Sequence, residues 1–436
     1  MAHNEVLGHP KGLFILFFTE MWERFSYYGI RAILVLYMVD KIATGGLGWT
    51  DEKAFAVLGV FQMCVYLTAI PGGILSDRVL GPRKSVWIGC LLIMLGNFSL
   101  VCPGVFAFYL GLTLIVLGGG CLKPNISTIV SRLYRPGDPR QESAFSIFYL
   151  GINVGSFFSG LVVGALALKF GWHYGFLASG VGMLLGQGVY VWGQKYLGDV
   201  DALAAREQSV AEKRPLTADE KKRIGIILFS FVSVIVFFAA FEQAGGLLNI
   251  YTDRFTDRAL GAFTVPTPWF QSLNPLYIIL LAPLAAMLWP FLAKRGKNPP
   301  AIVKMGLGNV ILGLGFLFMV AAVLQRDASP THQSSMAWIV LVYLSCTLGE
   351  LALSPVSLSF ITATAPRRMT SQIMGLYFAV TGIANYVAAK VGAFATGAGE
   401  KRVFWGIVIV ATSFGLLQLA VAPAILKAVR GKGTGA

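Results

Sequence analysis

Seven ionisable side chains fall well inside long apolar runs: Glu20, Glu23, Arg24, Arg31, Lys123, Glu242 and Glu350. A charge at the centre of a bilayer costs roughly 2.5–3.5 kcal/mol on insertion scales, so exposing all seven to lipid would cost on the order of 20 kcal/mol. They must face the protein interior or a watery cavity and compensate one another, the usual mark of an ion or substrate pathway. Three are cations and four are acids. That imbalance accommodates a proton and leaves both signs available to a zwitterion. Histidine, the usual switch near neutral pH, is absent from the run interiors: His3, His9 and His332 lie in polar segments and His173 at a run's start. Proton coupling would therefore rest on carboxylates.

The first run shows the grouping geometrically. At about 100° per residue, with Glu20 at zero, Glu23 falls near −60°, Tyr27 near −20°, Arg31 near +20°, Arg24 near +40° and Tyr28 near +80°. Two acids, two arginines and two tyrosines share one face. A structural ion-pair network locking this helix to its neighbours is the plainer reading of Glu20, Glu23 and Arg24. It does not exclude function, because a carboxylate beside an arginine in low dielectric can change partner on taking up a proton. Lys390, near the end of another run, reads as a lysine snorkelling to the interface.

The elements holding these groups follow from composition. The 436 residues are 56% hydrophobic and 13% charged, with a mean hydropathy of +0.69. Soluble chains carry about twice that share of charge, so lipid is the solvent for most of this one. The net charge of +14 forms no basic stripe with interleaved aromatics, so nucleic acid is not the partner expected. The five cysteines (Cys64, Cys90, Cys102, Cys121, Cys346) show no metal-ligand spacing and read as packing residues. Met1 to Lys11 does not read as a cleavable signal peptide. Runs long enough to span about 30 Å as helices fall at 12–39, 54–75, 84–102, 105–131, 143–168, 172–193, 223–252, 268–292, 302–324, 336–364, 371–396 and 403–428. They form two groups of six, joined by a polar stretch over 194–222, which predicts bundles over 1–193 and 223–436 with a cytoplasmic linker. With the N-terminus inside, the segments on that side hold 23 lysines and arginines and the outer ones 8. The positive-inside bias then puts both termini in the cytoplasm, and the inner membrane is the expected site.

An all-α membrane protein of twelve transmembrane helices in two six-helix bundles is the organisation of the major facilitator fold. Gly72-Gly73-Ile74-Leu75-Ser76-Asp77-Arg78, followed by Gly81-Pro82-Arg83-Lys84, resembles its cytoplasmic-loop signature, and Ala293 to Lys297 is a weaker echo. More specific segments follow in order along nearly the whole chain. Glu20-Met-Trp-Glu23-Arg24-Phe25-Ser-Tyr27-Tyr28-Gly29 resembles the ExxERFxYYG signature of the proton-dependent oligopeptide transporter family, and Phe148 to Ser156 its FYxxINxGS signature. Leu122-Lys123-Pro124-Asn125, Phe241-Glu242-Gln243, Gln271 to Pro275 and Gly349 to Pro355 are also similar to family segments.

The resemblance implies proton-coupled import of di- and tripeptides by alternating access, with no cofactor beyond the proton, by a monomer in the bilayer. It implies a coupling set of Glu20, Glu23, Arg24 and Glu242. Arg31 and Lys123 would receive the peptide carboxylate, and Glu350, with Asn153 and Asn274, its amino group. Arg31 would also pair with Glu242, and Lys123 with Glu350, in changing combinations. Tyr28, Tyr66, Tyr149, Phe238, Gln271, Ser354, Tyr377 and Asn385 would line the pocket. The chemistry is sensible on its own terms: a peptide zwitterion presents opposite charges a few ångströms apart, and charge-assisted hydrogen bonds to its ends give affinity independent of side chain. Glu350 and Ser354, four apart, can face one way, and Pro355 interrupts the ladder there, a plausible bend.

Three departures bear on selectivity. Phe238 stands where the family often has tryptophan, Tyr377-Phe378 replaces a Trp-Phe pair, and the 194–222 linker has no room for the two extra helices of many bacterial relatives. A facilitator for another small anion or zwitterion, such as nitrate or an amino acid, and a peptide-binding sensor are the alternatives. An enzyme is the least expected, since no phosphate-binding glycine loop with lysine and serine, no HExxH and no GxSxG is present.

Overall fold

The computed structural model describes residues 5–135, 138, 140–198, 217–366 and 369–430. The first expected span forms as α1 (Lys11–Val39). It is followed by α2 (Asp51–Leu80), α3 (Pro82–Val101), α4 (Val105–Arg132), α5 (Arg140–Phe170) and α6 (Trp172–Tyr196). Beyond the join come α7 (Ala218–Phe255), α8 (Thr267–Lys294), α9 (Ala301–Ala328), α10 (Ala337–Thr364), α11 (Thr370–Ala398) and α12 (Glu400–Arg430). All but α1 are long and apolar enough to cross a membrane by length and composition. The reason α1 stands apart is its charge: every 18-residue stretch of it contains at least three of Lys11, Glu20, Glu23, Arg24 and Arg31. The protein is an all-helical membrane protein, with β-structure among the described residues confined to two-residue strands in the loops.

Several spans are less regular than hydropathy implied. The run expected over 223–252 starts earlier, at Ala218, because Thr217 and Glu220 form a capping box. The Glu220 amide donates to Thr217 Oγ1 at 3.2 Å and the Thr217 amide to Glu220 Oε2 at 2.9 Å. The same span is broken by a 3-10 turn at Glu242–Gly245 and resumes at Leu247–Phe255. The span expected over 54–75 runs on to Leu80 through a π-turn at Ser76–Leu80, which takes in Asp77 and Arg78 of the loop signature. α10 continues as one helix through Pro355. Most of the expected linker, including Asp199, Arg206, Glu207, Glu212, Lys213 and Arg214, lies outside the described residues, as do His3, Arg367 and Arg368.

The described residues fall into two compact units. Unit 1 comprises those within Met1–Thr50, Val60–Val210 and Pro266–Leu276, and unit 2 those within Asp51–Gly59, Ala211–Val265 and Tyr277–Ala436. In unit 1, α1 packs on α5 and α6, and α3 on α4 and α6. These contacts are backbone-close and need glycine: a Cβ on Gly155 of α5 would overlap the Met21 carbonyl of α1. In unit 2, α9 packs on α10 and α12, and α7 on α11.

A short hairpin pairs Glu5–Val6 with His9–Pro10 ahead of α1. Arg140 holds it, donating to Glu5 Oε1 at 3.2 Å and to the Gly8 carbonyl at 3.0 Å, while His9 Nδ1 lies 2.8 Å from the Tyr134 hydroxyl. Arg140 also bonds Asp138, and that guanidinium holds the Asp138 carboxyl below its usual range. The Asp138 contact is thus present above the ordinary carboxylate value of 3.8 and lost only as pH falls through a lower one.

Two outcomes are expected. Gly155→Ala lowers the melting temperature of the detergent-solubilised protein, an overpacking cost of about 1–3 kcal/mol, whereas Gly188→Ala, where a Cβ meets nothing within 4 Å, does not. Hydrogen exchange of residues 5–10, corrected for intrinsic rates, is level from pH 8 to 5 and rises in Arg140→Ala.

Candidate functional site

The α1 face gathers the charges its spacing predicted. The Arg24 Nε donates to Glu20 Oε1 at 2.8 Å and sits 2.6 Å from Glu23 Oε2. All three are buried: Glu20 is 3%, Glu23 1% and Arg24 9% exposed. One guanidinium between two carboxylates carries a net charge of −1, so a single proton makes the group neutral. Glu20 Oε2 is buried without a hydrogen-bond partner among the described residues. A buried carboxylate oxygen lacking a donor is costly, and a proton placed on it removes that cost by removing the charge.

Two tyrosines extend the cluster. The Lys123 ammonium of α4 lies 4.5 Å from the centre of the Tyr27 ring and 4.8 Å from that of Tyr66, within electrostatic reach of Glu20. Arg24 also lies over Tyr27, at 5.8 Å, and Arg31 over Tyr28, at 5.7 Å. Aromatic faces attract cations through the ring quadrupole and add to whatever ionic partners these residues have. Tyr27 was placed on this face by the sequence but not among the site residues, although its angle near −20° was the signal. Lys123 is positioned by a close crossing of α2 and α4. Pro124 has no N–H to offer the Gly120 carbonyl one turn back, and Gly72 of α2 packs directly against that carbonyl.

The remaining unit 1 candidates lie on α5 and at the start of α8. Asn153 is buried, its amide donating to the Tyr149 carbonyl at 3.0 Å, while the Tyr149 side chain is 45% exposed. The 3-10 turn Thr267–Ser272 is fastened to α5 by Ser272 Oγ on the Phe157 carbonyl (2.8 Å) and Trp269 Nε1 on that of Leu161 (3.0 Å). This fixes Gln271, whose Nε2 is buried without a hydrogen-bond partner among the described residues, and the adjacent, half-buried Asn274.

Unit 2 holds the other candidates. Glu242 is buried at the break in α7. Next to it, Gln243 Nε2 donates to the carbonyls of Ala239 and Ala388, each at 2.9 Å, tying the break to α11. Glu350 and Ser354 are half-buried on α10. The Tyr377 hydroxyl of α11 bonds Ser354 and lies 3.2 Å from Ser357 Oγ, with Glu350 in electrostatic reach. Phe238 stands edge-on to Phe237 and Phe241, with ring centres 5.4 and 5.9 Å away. Asn385 is buried, its Oδ1 without a hydrogen-bond partner among the described residues. Ser357 and Gln243 were not anticipated. Their signal was spacing, three after Ser354 and one after Glu242. Among the described residues no group of three or more His, Cys, Asp or Glu could hold a metal ion.

A family model described as "POT family" matches residues 83–201 and 199–405. The chain belongs to the POT family. It is 36% identical, over 88% of each chain, to "Peptide transporter YePEPT" of Yersinia enterocolitica, and 31% identical, over 96% of each, to a "Di-/tripeptide transporter" of Lactococcus lactis subsp. cremoris. A crystal structure of a mutant peptide transporter POT in complex with alafosfalin superposes with a TM-score of 0.91 at 38% identity, covering 98% of this chain and 97% of that one. The POT likeness carries the major facilitator fold, and these relatives are transporters, not enzymes.

If the triad is held as described, Arg24→Leu strands two buried acids and destabilises the protein by about 3–5 kcal/mol, far more than Glu20→Gln. Thermal unfolding in detergent measures this. Replacing all three residues by leucine should recover much of the loss, and a triple variant no better than Arg24→Leu would contradict it.

Proposed function

We propose that this chain is a proton-coupled symporter importing di- and tripeptides by alternating access of its two halves, 1–193 and 223–436, joined through 194–222. The observation that carries the coupling is the buried Glu20–Arg24–Glu23 group, one proton short of neutrality, with an undonated oxygen on Glu20. Protonation there would loosen Arg24 from Glu20 and so connect proton entry to the packing of α1. The similarity to a peptide transporter and to a di-/tripeptide transporter supports the substrate class.

In this reading the peptide carboxylate is received by Arg31 and Lys123, and its amino group by Glu350 with Asn153 and Asn274. Tyr28, Tyr66, Tyr149, Phe238, Gln271, Ser354, Tyr377 and Asn385 shape the pocket, and Glu242 belongs to the coupling set. Recognition of both peptide ends leaves side-chain preference to Phe238 and Tyr377. The lysine and arginine bias supports cytoplasmic termini in the inner membrane, and the protein acts as a monomer.

Uptake of labelled dialanine into proteoliposomes under an inward proton gradient tests the proposal. Accumulation is expected and collapses with a protonophore. Glu20→Gln abolishes accumulation but keeps dialanine counterflow. Glu350→Gln raises the half-saturating dialanine concentration about tenfold, the worth of one charge-assisted hydrogen bond. Binding without gradient-driven accumulation would favour a facilitator or sensor. Failure of every di- and tripeptide, with uptake of a single amino acid or nitrate, would reassign the substrate.

A further inference from the structure

Unit 2 carries two grooves that the transport site does not use. One, of about 440 Å³, is lined by Glu52, Phe55 and Ala56 at the start of α2 and by Tyr386, Lys390, Phe394 and Thr396 of α11, among others. The second, of about 530 Å³, is formed by α7, α11 and α12, and its only charged lining residues are Lys390 and Arg402. Tyr386, Lys390 and Phe394 line both, so the grooves share a wall.

The charges sit at one end of the helices. Lys390 lies eight residues before the close of α11 at Ala398, about 12 Å along the axis, and Arg402 lies in the first turn of α12. The Lys390 ammonium is 5.4 Å from the centre of the Tyr386 ring. Neither Lys390 nor Arg402 has an ion-pair partner among the described residues. Glu52 accepts one hydrogen bond, from Thr396 Oγ1 at 3.2 Å, and keeps further lone pairs free. The trough thus offers two cations without ion-pair partners among the described residues, a carboxylate that lines the same groove as one of them, and an apolar channel. A small peptide has ends for the charges but nothing for the channel. A purely anionic lipid would leave Glu52 facing like charge.

We propose that this trough binds an amine-bearing zwitterionic phospholipid. Its acyl chain lies among α7, α11 and α12, its phosphate on Lys390 and Arg402, and its ammonium on Glu52. Basic groups at helix ends bind lipid phosphate by charge, and the carboxylate adds the selection for a headgroup with N–H donors.

The test is native mass spectrometry of delipidated full-length protein titrated with phosphatidylethanolamine, phosphatidylcholine and phosphatidylglycerol of identical acyl chains. Phosphatidylethanolamine should be retained about tenfold better than either, the worth of one charge-assisted hydrogen bond. Glu52→Gln should reduce it to the phosphatidylglycerol level, and Lys390→Met should weaken all three. Lys401→Ala, at the same helix end but lining neither groove, should change nothing. Equal retention of the three lipids by the unaltered protein overturns the proposal whether or not the variants fold. So does unchanged selectivity in folded Glu52→Gln, or displacement of phosphatidylethanolamine by dialanine, which would make the trough a peptide vestibule.

Discussion

Burying charge where no water can reach it is the constraint on which the rest of this structure depends. Arg24 is tolerable inside α1 because Glu20 and Glu23 are within ion-pairing distance, and the two acids are tolerable because of Arg24. Arg24 cannot be removed alone without leaving two buried acids uncompensated, whereas loss of one acid leaves a neutral pair. The same condition shapes the neighbouring helices. They must come close enough to exclude solvent from the triad, and the glycine at 155 lets α5 press its backbone on α1 at Met21. A site built this way tolerates only a few charge states.

Cation–π contacts solve a different problem in the same unit. Lys123 against Tyr27 and Tyr66, and Arg31 against Tyr28, rest on ring faces that attract a cation and so offset part of the cost of burying it. The aromatic residues of the first helix are therefore electrostatic components as well as packing ones.

Much of this was legible in the sequence. Hydropathy located the spans because the bilayer imposes their length and composition, and the helical period put Glu20, Glu23, Arg24 and Tyr27 on one face. The break in α7 was passed over because the flanking residues are strongly apolar, although Glu242-Gln243-Ala244-Gly245-Gly246, with its paired glycines, carried the signal of an interruption. The start of α7 was likewise passed over: Thr217-Ala218-Asp219-Glu220 fits a capping box, but it sits in a stretch whose polarity reads as linker. Lys390 looked like a snorkelling side chain from sequence. Its place in two adjoining grooves depends on helices far apart in the chain, which periodicity cannot report.

The interruption of α7 has a mechanical meaning. Gln243 bonds backward to Ala239 within its own helix and sideways to Ala388 on α11, so the joint is pinned at the point where it would flex. A pinned joint turns but does not slide. Any tilt of the segment Leu247–Phe255 therefore pivots about Gln243 and is passed to α11, which would make two helices respond as a single lever.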